Sequence, residues 1–410
     1  MRRMAVLLST AALWFSFLLL GTAGGASAHA SVVEASPAPN SRAEAAPERV
    51  ELEIDAKPLE GLFALRLVDA EGRELADDAV WDESASKISL PIPSLRDGAY
   101  QVDYRITSED GHTVRGSYWF VVGDAALPAA SPATRGDIAE PLVYAAKILY
   151  TLSLLLLVGW LFWGWAIPSQ TRAFRSFHGS VSFGLQLAHA MGLLLMIGLQ
   201  SAGFAPASEE AYRIPIGAGF GVGWLVSLAA AACGPFLLRR TAASDMAWIA
   251  LALAAKSYSG HAAGAEAMLT AWALGWLHTA AAALWAGGLF FLLLCWKRHR
   301  LYAAELLPAF SRAALICMGV LWATGTAKTL LVADPGTIGA SVWGALLLAK
   351  AALVAGATAI AATMRARLRR GAPGAPGVPG VPGKGWLTAD VAAAAAIAAI
   401  AAAMALSSPY

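Results

Sequence analysis

The chain has 410 residues, 58% of them hydrophobic and 14% charged. That balance excludes an ordinary soluble protein and calls for several membrane spans. The formal net charge is +2, and no basic run with interleaved aromatics precedes the apolar part, which excludes nucleic acid as a partner class.

The chain opens on Met1-Arg2-Arg3, continues through the apolar "MAVLLSTAALWFSFLLLGTAGG", and reaches the small residues Ala26 and Ala28. This is the three-part layout of a secretory signal peptide, residues 1–28, with cleavage expected between Ala28 and His29. The alternative is an uncleaved signal anchor; the charged, strand-like region that follows at once favours cleavage.

Residues 29–123 carry strand signals. "VELEI" (50–54), "LFALRLV" (62–68), "KISLPI" (87–92), "YQVDYRI" (100–106) and "GSYWFVV" (116–122) alternate apolar and polar residues, with turn signals such as "EGRE" and "RDG" between them. Short antiparallel strands in about 95 residues predict a small all-β sandwich or barrel, Ig-like in its layering. The three cysteines, Cys233, Cys295 and Cys317, all lie in or beside apolar spans, so this domain must fold on its own core without disulfides. Residues 124–141, rich in Ala, Pro and Gly, read as a linker.

From 142 to 407 the sequence predicts an all-α transmembrane bundle of eight spans: 142–166, 181–202, 217–238, 244–262, 268–294, 309–332, 340–363 and 386–407. Arginines and lysines follow the first, third, fifth and seventh spans, whereas the intervening loops carry Glu209, Glu210, Glu266 and Asp334 with Arg213 as their one basic residue. The positive-inside rule then puts the β domain and the C-terminus outside the cytoplasm of a multi-pass cell-membrane protein. "GAPGAPGVPGVPGKG" (371–385) reads as a cytoplasmic linker, too short for a collagen helix.

The β domain holds two histidines, His29 and His112. Asp110 and His112 are two apart, which on an extended segment puts both side chains on one face. Cleavage would free the α-amino group of His29, so amine and imidazole of one residue could chelate one ion. With Asp110 and His112 the set is three nitrogens and one oxygen, which in tetragonal form favours Cu(II) and in tetrahedral form would suit zinc. The other reading is a plain Asp110-Gly111 turn with His112 exposed. No methionine or cysteine lies between His29 and the first span, which argues against a soft Cu(I) site there.

Among the spans, His189 lies in the second, His261 at the outer end of the fourth and His278 in the fifth. His278 would sit about 15 Å below the outer surface, with His189 somewhat deeper. Such a descending series would suit a metal path, since neutral imidazole binds copper readily. Packing across the bundle is the competing reading for each. Lys147, Lys256, Lys328 and Lys350 also lie within or near spans, where charge is costly. Met191, Met196, Met268 and Met318 read as lipid-facing or core residues rather than Cu(I) ligands.

The β domain resembles the CopC family of exported copper-binding proteins. The resemblance rests on His29-Ala30, Pro37-Ala38 and "YRITSEDGHTVRGSYWFVV", in which Ser108, Asp110, His112, Gly116 and Phe120 match Ser-x-Asp-x-His-x-x-x-Gly-x-x-x-Phe. It implies a cupredoxin-like β-barrel with His29, Asp110 and His112 as Cu(II) ligands. Tyr104 stands where that family often has Trp, and Asp55 or Ala56 where some members have a Glu near the metal; the methionine-rich Cu(I) segment is absent. The spans resemble CopD, the membrane partner of CopC, through "SGHAAG" (259–264), "LHTAAAALWAGGLFFLLL" (277–294), "TGTAKTLL" (324–331) and "WGALLLAKAALV" (343–354). An Asn frequent after the seventh span in that family is replaced by "MRARLRR".

The resemblance implies a CopC–CopD fusion that binds Cu(II) outside the cytoplasm and moves or delivers copper across the cell membrane, in copper import, homeostasis or resistance. Its partners are the copper ion and the lipid bilayer, with extracytoplasmic copper donors or reductants unnamed by any motif. No Walker-type phosphate loop occurs, so ATP-driven pumping is not expected, and the chain is not expected to be an enzyme. Two other functions compete: a copper sensor or chaperone on a non-conducting bundle, and an N-terminal-histidine copper oxygenase. Asp110 as a ligand argues against the last, because it would occupy a position oxygen needs.

Overall fold

The computed structural model describes residues 32–54, 57–108, 113–128, 139–167, 170–204, 219–258, 268–332, 342–369 and 397. The expected eighth span, 386–407, falls outside this set apart from Ile397.

Nine strands form two sheets. β1 (Val32–Ser36), β3 (Arg49–Ile54), β7 (Lys87–Pro91) and β6 (Val80–Asp82) make one; β2 (Arg42–Ala43), β9 (Thr113–Val122), β8 (Gly98–Ser108), β4 (Pro58–Asp69) and β5 (Glu74–Ala76) make the other, in those orders. All five strands expected from alternation are present; the four that alternation missed are two to five residues long. Alternation has a direct packing consequence. Val50, Leu52 and Ile54 of β3, and Ile88 and Leu90 of β7, point inward from the first sheet. Leu65 and Leu67, Val102 and Ile106, and Phe120 and Val122 meet them from β4, β8 and β9. Each such aliphatic side chain, fully buried, contributes about 1.5–3 kcal/mol.

The arrangement is a two-sheet sandwich, one of the two expected forms; a barrel is not confirmed. Among the described residues no ladder joins the two sheets. Closure needs long edge strands, and β2, β5 and β6 have only two, three and three residues.

The β4–β5 turn is pinned by Asp69. Its Oδ1 accepts the Arg73 backbone N–H at 2.8 Å and its Oδ2 accepts Arg73 Nε–H at 2.8 Å. These bonds, the backbone one first, hold its carboxyl below the usual range against the opposing effect of burial.

Seven helices follow among the described residues: α1 (Ala139–Trp165), α2 (Arg172–Phe204), α3 (Gly219–Leu237), α4 (Ala242–Tyr258), α5 (Met268–Arg298), α6 (Arg300–Val332) and α7 (Val342–Arg369). Five of them, α1, α2, α5, α6 and α7, are long and apolar enough to cross a membrane. The described residues thus hold seven helices rather than eight, and the eighth expected span lies outside them.

α1 and α5 cross at Gly159 and Gly287, where a Cβ on either would overlap the other helix's backbone, the close approach that small residues permit between apolar helices. Trp163 Nε1–H donates to Leu284 O at 2.9 Å beside the crossing. The basic end is tied together by Asp245, whose carboxylate accepts from Trp165 Nε1 at 2.7 Å and from the Arg239 backbone N–H at 2.6 Å.

Candidate metal centre and the helices beneath it

His29, Asp110, His112 and His261 lie outside the described residues, as do Asp55 and Ala56. The strands that lead to them are described. In the β8–β9 hairpin Thr107 pairs with Thr113, and residues 109–112 connect the strands. Ser108, two residues before Asp110, pairs with Pro58 at the start of β4. Ile54, at the end of β3, pairs with Val32 at the start of β1, and Val32 follows His29 by three residues. The start of β1, the end of β3, the start of β4 and the turn end of the β8–β9 hairpin therefore gather at one end of the sandwich.

That end rests on the helices. Leu59 and Leu62 of β4, the first of them next to Pro58, pack against Ala146 and Tyr150 of α1, Leu193, Met196 and Ile197 of α2, and Trp224 of α3.

Other motif positions have structural explanations. Gly116 pairs with Tyr104 across the hairpin, and a Cβ there would overlap the Tyr104 ring and hydroxyl. The glycine makes room for a large ring lying across it, so Tyr104 in place of Trp preserves the packing principle. Burial raises the Tyr104 phenol above its usual range, and burial together with the nearby Tyr104 raises that of Tyr118 further. Phe120 is fully buried and stacks on Tyr100 at 5.7 Å.

Beneath the sandwich, His189 is buried, with 3% exposure. Its ring stacks on Tyr150 at 5.1 Å and its Nδ1 lies 3.4 Å from Tyr150 O. A carbonyl only accepts, so Nδ1 carries the proton and Nε2 keeps its lone pair. His278 reaches the same tautomer by another route. Its Nδ1 is 2.8 Å from Thr324 Oγ1, and that hydroxyl donates to Val320 O at 2.6 Å. The threonine proton is spent, so His278 Nδ1–H donates and Nε2 is again the lone-pair nitrogen. An imidazole held through one nitrogen with the other left basic is the arrangement of a metal ligand.

The two rings have separate neighbours, and His261, the third of the expected series, lies outside the described residues. No group of three or more His, Cys, Asp or Glu side chains gathers among the described residues. Lys328 lies within Coulombic reach of Lys256, Lys350 and His278. Lys256 Nζ also sits 5.7 Å from the Tyr150 ring centroid.

Sequence reasoning missed His178 and His299. His178 stacks on Trp160 at 4.9 Å; its Nε2 donates to Trp160 O and its own carbonyl accepts Trp160 Nε1–H, each at 3.0 Å. It lies 11 positions before His189, three helical turns on the same face of α2. That spacing was the available signal. His299 packs against Phe174 and Phe177 at the α5–α6 turn. Both serve packing at the basic end.

Comparison with known proteins finds a family match for two parts of the chain. The CopC domain family matches residues 32–123, and the family of copper resistance protein D, CopD, matches residues 304–404. One chain joins a CopC domain to a CopD segment. The CopC match spans Asp110 and His112. The CopD match includes Thr324, Lys328 and Lys350 but begins after His189 and His278.

A curated relative, copper transport protein CutJ of Bacillus subtilis (strain 168), is 26% identical over 330 residues, covering 73% of this chain. The chain spans 60% of that relative's length. Among solved structures, CopC from Methylosinus trichosporium OB3b is 28% identical and is covered completely by 25% of this chain, with a TM-score of 0.23. PcoC, a methionine-rich copper resistance protein from Escherichia coli, is 24% identical over 23% of this chain and 99% of its own, with a TM-score of 0.22.

Proposed function

We propose that the CopC domain captures Cu(II) outside the cytoplasm and hands copper to the helical bundle, which moves it across the cell membrane. The amine and imidazole of His29, the carboxylate of Asp110 and the imidazole of His112 form the capture site. Secretion completes it, because the amine exists only after cleavage at Ala28–His29. Three nitrogens and one oxygen suit Cu(II).

One observation carries the transfer step. The end of the sandwich where the strands flanking all three ligands gather is the end that docks, through Leu59 and Leu62, on the helices holding Tyr150, and Tyr150 stacks on His189. Capture and entry are thus adjoining. His189, His261 and His278 are the receiving imidazoles; His189 and His278 present Nε2. The relative named as a copper transport protein supports transport over a sensor or chaperone on an inert bundle.

The test is flux. Purified protein in vesicles, with copper outside and a copper-responsive dye inside, is expected to load the vesicles faster than protein-free controls. Cu(II) binding with no flux would overturn transport and leave a sensor or chaperone.

A further inference from the structure

We propose that the basic end of the bundle holds a specific site for the phosphate of an anionic phospholipid, built on Arg239 and the first turns of α2. An open cavity of about 460 Å³ lies there, lined by Ser176, Gly179, Ser180, Phe183 and Arg239. Arg239 is held in place from two sides. Its backbone adopts φ +66°, a conformation side chains other than glycine rarely take, and its N–H is fixed by Asp245. Its guanidinium lies on Gly179, where a Cβ would overlap it, and Nη2 donates to Arg175 O at 3.2 Å.

Asp245 feels the charge of that guanidinium, but the guanidinium's N–H donors are left for another partner. Both Asp245 oxygens are engaged, by Trp165 and by the Arg239 backbone, and the single bond to Arg175 O leaves most of the five guanidinium donors for a ligand. The exposed Ser176 hydroxyl stands beside it, while Ser180 Oγ donates to Ser176 O at 3.2 Å. A guanidinium with an adjoining hydroxyl matches a phosphate.

The neighbouring surface points to a lipid as its source. Phe183, 62% exposed, lies about 10 Å along α2 from Ser176. Leu187, Met191 and Leu194 continue its stripe at helical spacing, and all are exposed. A phosphate clamped at the polar mouth would run its acyl chain down this apolar track.

Native mass spectrometry of the full chain, delipidated and re-exposed to phosphatidylglycerol, phosphatidylcholine or inorganic phosphate, tests this. One phosphatidylglycerol is expected to be retained about tenfold better than phosphatidylcholine, and Arg239→Gln is expected to abolish the preference. Ser180→Leu, at an exposed position, fills the mouth without touching Arg239 and is expected to lower retention severalfold, which keeps the test open if Arg239→Gln folds poorly. Equal retention of the two lipids, an unchanged preference in both variants, or displacement of the lipid by millimolar phosphate would overturn the proposal.

Discussion

The imidazole of His189 lies against the phenol ring of Tyr150, centroids 5.1 Å apart and planes inclined by 22°, with Nδ1 facing the Tyr150 carbonyl. His278 holds Thr324 by the same nitrogen. Asparagine places an amide N–H near the position of Nδ1 and offers nothing at Nε2. His189→Asn and His278→Asn should therefore keep their anchoring bonds while removing the proposed ligand atom. The expected outcome is a thermal midpoint close to that of the parent and copper flux reduced at least tenfold. Parental flux in both variants would show that the two rings only pack.

Docking separates capture from transfer. Leu59 and Leu62 meet the cluster around Tyr150 and Trp224. Replacing both with Ser removes about 2 kcal/mol of contact between sandwich and bundle. The expected result is unchanged Cu(II) affinity, because neither residue is a ligand, with vesicle loading slowed several-fold. Equal loss of affinity and flux would mean that the substitutions had disturbed the capture site itself.

The hairpin that leads to Asp110 and His112 depends on the space above Gly116. Gly116→Ala puts a methyl into the Tyr104 ring and should cost about 1–3 kcal/mol, as overpacking does. Tyr104→Val in the same chain should restore most of the stability. Thermal melts of residues 29–123 read both effects, and a neutral Gly116→Ala would contradict the packing role.

Asp69 sets an acid limit on the CopC domain. Its carboxyl is held below the ordinary range, first by the Arg73 backbone N–H and also by the Arg73 side chain. A lowered folded-state value means its contribution is complete above the unfolded value of about 4 and is lost as pH falls through the folded one. Asp69→Asn should therefore destabilise the domain at pH 7 and remove part of the stability loss between pH 4 and pH 2. Identical acid-unfolding profiles of parent and variant would contradict this.

Much of the sandwich was legible because alternation reports burial. Val50, Leu52 and Ile54 had to face one side, and their partners on β4, β8 and β9 had to meet them. The short strands β2, β5 and β6 were not legible, since two or three residues carry no period. The helical part was read from hydrophobicity, which finds apolar stretches but does not fix where each helix starts and stops. The proposed capture residues rest on spacing, the cleavage signal and the family resemblance, and they lie outside the described residues. The dock was not legible: Leu59 and Leu62 read as ordinary strand residues until β4 is placed against α1 and α2.

The central claim is that signal cleavage makes the copper site. Electron paramagnetic resonance of residues 29–123 loaded with Cu(II), with His29 as the true N-terminus and again with extra residues ahead of it, tests that claim most directly. The account predicts a tetragonal, nitrogen-rich spectrum from the mature form and loss of the amine nitrogen, with weaker binding, in the extended form. Identical spectra from the two would contradict it.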